Sequence, residues 1–100
     1  MSLHIAVPHN MSIDIKAQSD ITFVVTVTAS SPTTHIVSVS DAYHKTLTKG
    51  AISKEQLIAF SFDFLLAREP NTSILARFEL PVIALYFPEY ETDIVALCES

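Results

Sequence analysis

Glycine is nearly missing from this sequence: Gly50 is the only one in 100 residues. A phosphate-cradling P-loop, a dinucleotide-binding G-x-G-x-x-G turn and a G-x-S-x-G nucleophile elbow all need several glycines for tight turns and close backbone approach, so none is available. Cysteine is as scarce. A single Cys98 excludes an internal disulfide and any multi-cysteine zinc site, and it fits a reduced, cytoplasmic setting. Positive charge is short too: six Lys and Arg face eleven Asp and Glu, a net charge of −5, which leaves no basic footprint for nucleic acid. Asp63, Arg68 and Glu69 break the longest apolar stretch, far below the ~20 residues of a membrane-spanning helix. The start, MSLHIAVPHNMS, has neither the basic nor the apolar region of a secretory signal. Cys98 is third from the end, where no lipidation box can use it.

What is abundant is apolar surface. Hydrophobic residues make up 49% and charged residues 17%, enough to build one core over residues 1–100 and to exclude a disordered chain. The character changes near residue 41. Before it, Val, Ile and Thr alternate between Ser, Pro and Asp, which is strand chemistry. The strongest strand is Ile21–Ser30, with Ile21, Phe23, Val25, Val27 and Ala29 on one face and mostly threonines on the other. Ser31-Pro32-Thr33 turns the chain into a returning strand, Thr34–Ser40, on which His35, Val37 and Val39 share a face. Ile13 and Ile15 alternate as well, and so do Leu3, Ile5 and Val7.

Beyond residue 41 the spacing turns helical. Asp41 is placed to cap a short helix, Ala42–Leu47, with Gly50 as its left-handed terminator. Ser53 and Gln56 form a capping box, so the main helix should start at Lys54 and run to Glu69 ahead of Pro70. Ser73 is placed to cap a helical turn, ILARF, and Pro81 to open another, PVIALYF, which Pro88 stops. These patterns predict an α+β domain: a small antiparallel sheet of three or four strands from the N-terminal half, with C-terminal helices packed on one face.

The stretch SFDFLLAREPNTSILARFELPVIALYFPEYE, from Ser61 to Glu91, resembles a family of small bacterial proteins of unknown function. These carry a phrase like SF-x-FLL-x-REP-x-x-SIL and close on YFPEYE. The resemblance implies a bacterial origin and brings no catalytic or binding residues with it.

Candidate sites follow from residue chemistry. Four histidines, His4, His9, His35 and His44, can titrate near neutrality, but no H-x-x-x-H or H-E-x-x-H spacing is present, so neither a metal nor a cofactor is expected. His35, Asp41 and His44 fall where the second hairpin strand meets the short helix, and they are the candidate acid/base group. The plainer reading makes His35 a sheet residue and Asp41 a cap. Arg68 and Arg77, the only cations after Lys54, are candidates for an anionic ligand, against plain pairing with nearby acids. On the main helix, apolar residues cover more than half of the circumference, leaving Ile58, Phe62 and Leu66 to be covered by something else. Phe62 and Leu66, with Tyr86, Phe87 and Tyr90 of YFPEYE, are therefore the candidate interface. The plainer reading of YFPEYE is a core-closing turn that buries Phe87 and keeps both tyrosine hydroxyls wet. Two functions remain: a non-enzymatic interaction protein working as a homo-oligomer, expected as a dimer, or a small enzyme or anionic-ligand-binding protein with a pocket between sheet and main helix.

Overall fold

A computed structural model describes residues 12–99. The alternating Ile13/Ile15 segment forms β1 (Ser12–Ala17), the strongest alternating run forms β2 (Thr22–Thr28), and its return forms β3 (Thr33–Ser38). They make an antiparallel meander in which Ile15, Val25 and His35 lie in one cross-strand row and Ala17, Phe23 and Val37 in the next. The expected faces hold: Phe23, Val25, Val27, His35, Val37 and Val39 are buried. Ile21, at 44% exposed, and Ala29, half-buried, are the exceptions, because they lie just outside the two ends of the strand. The expected Leu3–Val7 strand lies outside the described residues.

The fourth strand comes from elsewhere. Arg77–Glu79 forms β4, which pairs parallel to β3 and gives a four-stranded mixed sheet in the order β1-β2-β3-β4. This corrects the expected helical turn ILARF: the helical piece there is a single 3-10 turn, Asn71–Ser73. Phe78 points inward between exposed Arg77 and Glu79, a period of two that decides for strand once β3 offers an edge.

The helices follow the sequence more closely. The first, α1 (Asp41–Thr48), is capped by Ser40 rather than Asp41: the Ser40 hydroxyl accepts from the Tyr43 N–H at 3.0 Å. At its other end Lys49 takes the left-handed conformation, φ 54°, ahead of Gly50 at φ 77°. The main helix, α2 (Lys54–Leu66), starts at the Ser53/Gln56 capping box, with both reciprocal hydrogen bonds formed. It stops at Leu66, short of Glu69, and the Arg68 and Glu69 N–H groups both turn back to the Leu65 carbonyl. Pro70 disfavours helical backbone in the residue before it, so the helix unwinds early. Two short helices close the fold: α3 (Val82–Tyr86), after Pro81, and α4 (Tyr90–Glu99), which the sequence reading did not anticipate.

Helix α2 lies against the buried sheet face, and its wide apolar surface is covered within the chain. Leu57, Ile58 and Phe62 have no exposed surface, and Leu66 is also buried. Phe62 stacks between His35 and Phe78, with ring centroids 5.5 and 6.2 Å away. The uncovered face expected on this helix does not exist: Phe78 of β4 packs against Phe62, Tyr90 of α4 packs against Phe64, and Leu80 and Ile94 join them in the core.

Candidate functional site

His35, Asp41 and His44 are each engaged by the fold, while His4 and His9 lie outside the described residues. His35 is buried, and its Nδ1 lies 2.7 Å from the Leu75 carbonyl, to which only an N–H can donate. Its Nε2 then accepts from the Thr33 hydroxyl at 2.8 Å. The Asn71 amide donates to both Thr33 Oγ1 and the Ser31 carbonyl, each at 2.8 Å. Ring, hydroxyl and amide thus form a closed chain that ties the 3-10 turn to the start of β3. A network with every member satisfied is a structural lock. His44 Nε2 donates to the Ile52 carbonyl at 2.7 Å, holding the α1–α2 connection. Asp41 pairs with Lys54, whose ammonium also reaches the Asp20 carbonyl at 2.7 Å. The Lys54 ammonium holds the Asp41 carboxyl below its ordinary range. His35, Asp41 and His44 are thus each held by a different internal partner, with no hydrogen bond between any two of them.

Arg68 is likewise engaged. Its guanidinium lies 3.6 Å above the Phe64 ring, donates to the Phe64 carbonyl at 3.0 Å, and pairs with Glu89 at 3.2 Å and Asp93 at 3.5 Å. It clamps the end of α2 to the start of α4. Arg77 differs: it is exposed on β4 and forms no ion pair within the described residues.

The interface candidates divide. Phe62, Leu66 and Tyr90 are core residues, which corrects their expected place on the surface. Tyr90 is fully buried, not wet. Ser61 donates its one proton to the Leu57 carbonyl at 2.7 Å, so the Tyr90 hydroxyl donates to Ser61 Oγ at 2.6 Å. Burial pushes the Tyr90 phenol well above its ordinary value. The SF of the first phrase and the YE of the second thus meet in one buried bond. Tyr86, by contrast, is 67% exposed, and Phe87 is half-buried with its ring 5.7 Å from that of Phe64.

Tyr86 and Phe87 lie on an apolar groove of about 340 Å³, whose walls also include Leu75, Phe78, Val82 and Ile83. Glu69 gives it one acidic residue, and Leu75 and Tyr86 at its margin stand in solvent. The groove is bounded by the end of α2, the 3-10 turn, β4 and α3. Leu75, Phe78 and Val82 escaped the sequence reading because they converge only when β4 joins β3. Chemically the groove offers apolar contact and almost no charge, which suits a protein surface more than a small polar substrate. A second hollow of about 500 Å³ between α1 and α4 is shallower and more acidic, lined by Tyr43, Glu91 and Glu99. There the Tyr43 hydroxyl donates to Glu91 at 2.8 Å, and burial followed by that bond raises the phenol far above its ordinary value.

Among the described residues, no three His, Cys, Asp or Glu side chains gather as a metal site would require, and no helix is long and apolar enough to cross a membrane. Burial raises the Cys98 thiol, which keeps it in its less reactive protonated form. Compared with known proteins, the chain matches no family model, no curated protein and no solved structure.

Proposed function

We propose that this protein is a non-enzymatic interaction protein that works as a homo-oligomer, a dimer, through the face that carries the apolar groove. One observation carries the reading: three large exposed apolar side chains, Leu75, Leu85 and Tyr86, are concentrated on the segments bordering that groove. Soluble chains rarely leave such clusters uncovered, and self-association through a two-fold interface is the commonest way to cover them.

The enzymatic reading has less support. The space between sheet and α2 is filled by Val25, Val37, Leu57, Ile58 and Phe62. His35, His44 and Arg68 are each hydrogen-bonded to internal partners, and none of them lines the groove. The acidic balance and lone thiol support a cytoplasmic setting without a nucleic-acid partner. The resemblance from Ser61 to Glu91 supports a bacterial source.

Light scattering on a sizing column tests the reading. The chain should elute at twice its 11.0 kDa mass. Leu85→Asp or Tyr86→Asp should return it to one chain's mass with the circular dichroism unchanged, since both residues are exposed. A single-chain mass at high micromolar concentration would overturn it.

A further inference from the structure

We propose that two copies of this chain pair β4 against β4 across a two-fold axis centred on Phe78, with Arg77 of each copy opposite Glu79 of the other. This rests on the reading above that the protein self-associates, and it names the edge and the register.

Among the described residues strand β4 ends the sheet, and one of its edges has no neighbour there. On its inner edge the Ile36 N–H donates to the Ala76 carbonyl and the Leu80 N–H to the Ser38 carbonyl, each at 2.8 Å. Alternation along a strand then turns the backbone of Ala76, Phe78 and Leu80 toward β3, and that of Arg77 and Glu79 outward. An antiparallel partner centred on Phe78 meets both outward residues. Each Arg77–Glu79 pair exchanges two backbone hydrogen bonds, and the two Phe78 residues form the closer pair between them, with Cα atoms about 4.5 Å apart.

The side chains select this register. Arg77 and Glu79 are both exposed and share the open face of the sheet, in the rows of Ile36 and Ser38. Centring the axis on Phe78 makes two opposite-charge cross-strand pairs. Moving it one residue either way sets Arg77 against Arg77 or Glu79 against Glu79, which is repulsive. On the helix side, Phe78 lines the groove with Leu75 and Tyr86, so pairing at Phe78 makes the apolar wall of one copy continuous with that of the other. The opposite edge, β1, also carries an acid and a base, Asp14 and Lys16, but the exposed Leu75 and Tyr86 line one groove with Phe78 of β4.

Charge reversal tests the register without touching the core. Arg77→Glu and Glu79→Arg should each weaken self-association about tenfold or more, measured by light scattering on dilution, because like charges then face each other twice. An equimolar mixture of the two variants should recover the dimer mass, since one chain then presents two acids and the other two bases. The doubly swapped chain should recover it alone. Circular dichroism of each variant should match the parent. Single reversals with no effect, or a mixture that stays monomeric, would overturn the proposal. A dimer that ignores both reversals but is lost in Lys16→Glu would overturn this register while leaving self-association in place. A parent chain that never dimerises would remove both.

Discussion

Asp63 sits on α2 between buried Phe62 and Phe64, half-buried itself, and burial raises its carboxyl above the ordinary range. A group whose folded pKa is raised binds its proton more tightly when folded. Its ionised form therefore costs stability above that pKa, and the cost disappears as pH falls through it. Asp63→Asn stays uncharged throughout and differs little in helix propensity. It should raise the urea midpoint at pH 7, and the gain over the parent should shrink toward acid. Equal midpoints at pH 7, or a gain that persists in acid, would show that desolvation at Asp63 carries no weight. Asp41 works in the other direction: its lowered carboxyl favours the fold above the unfolded pKa and loses that contribution in acid. Because Asp41 is common to both chains, the difference between variant and parent isolates Asp63. The same residue-by-residue contrast separates the candidate site. His35 is held on both ring nitrogens, whereas Arg77 has no ion pair within the described residues, and only the second is placed to meet something outside the chain.

Helix α2 owes its start to two local bonds, the Ser53 hydroxyl accepting from the Gln56 N–H at 3.1 Å and the Gln56 amide accepting from the Ser53 N–H at 3.0 Å. Ser53→Ala should therefore lower stability by about 0.5–2 kcal/mol in a denaturant titration, with an unchanged slope against denaturant. An unmoved midpoint would mean that tertiary packing alone fixes the helix start. Elements of this kind were legible in the sequence because everything that defines them lies within a few residues: the capping box, the alternation of Phe23, Val25 and Val27, and the turn at Pro32. Strand β4 was not legible. An alternation of three residues is too short to stand out in the sequence, and Arg77–Glu79 becomes a strand only by meeting Ile36–Ser38, about forty positions earlier. Two misses spread: without β4, Phe62 and Leu66 are left needing an outside partner, and without α4, Tyr90 is left on the surface. Of the candidate site, Tyr86 and Phe87 were visible as aromatics among acids. Leu75, Phe78 and Val82 were not, since a groove between a turn, a strand and a helix has no contiguous signature.

The whole molecule joins a local meander to a strand that arrives from a distance. Strands β1, β2 and β3 close through short turns, while β4 adds three parallel residues after a long excursion, a contact that is slower to form and weaker per residue. Strand β3 sits between these two neighbours, and its amides report on each separately. The Val39 N–H donates to the Ile21 carbonyl in the turn before β2, and the Ile36 N–H to the Ala76 carbonyl just before β4. By the same alternation His35 and Val37 depend on β2, and Ser38 depends on β4. Native-state hydrogen exchange should therefore alternate along β3, with Ile36 and Ser38 opening at lower free energy than His35, Val37 and Val39. Pairing through β4 would couple this to assembly. At protein concentrations that favour the dimer, the Arg77 and Glu79 amides should gain protection, and the alternation along β3 should weaken as β4 is held from both sides. Uniform protection along β3 at every concentration would mean that β4 opens only with the global fold. Arg77 and Glu79 amides that exchange freely at high concentration would leave the outer edge of β4 in water.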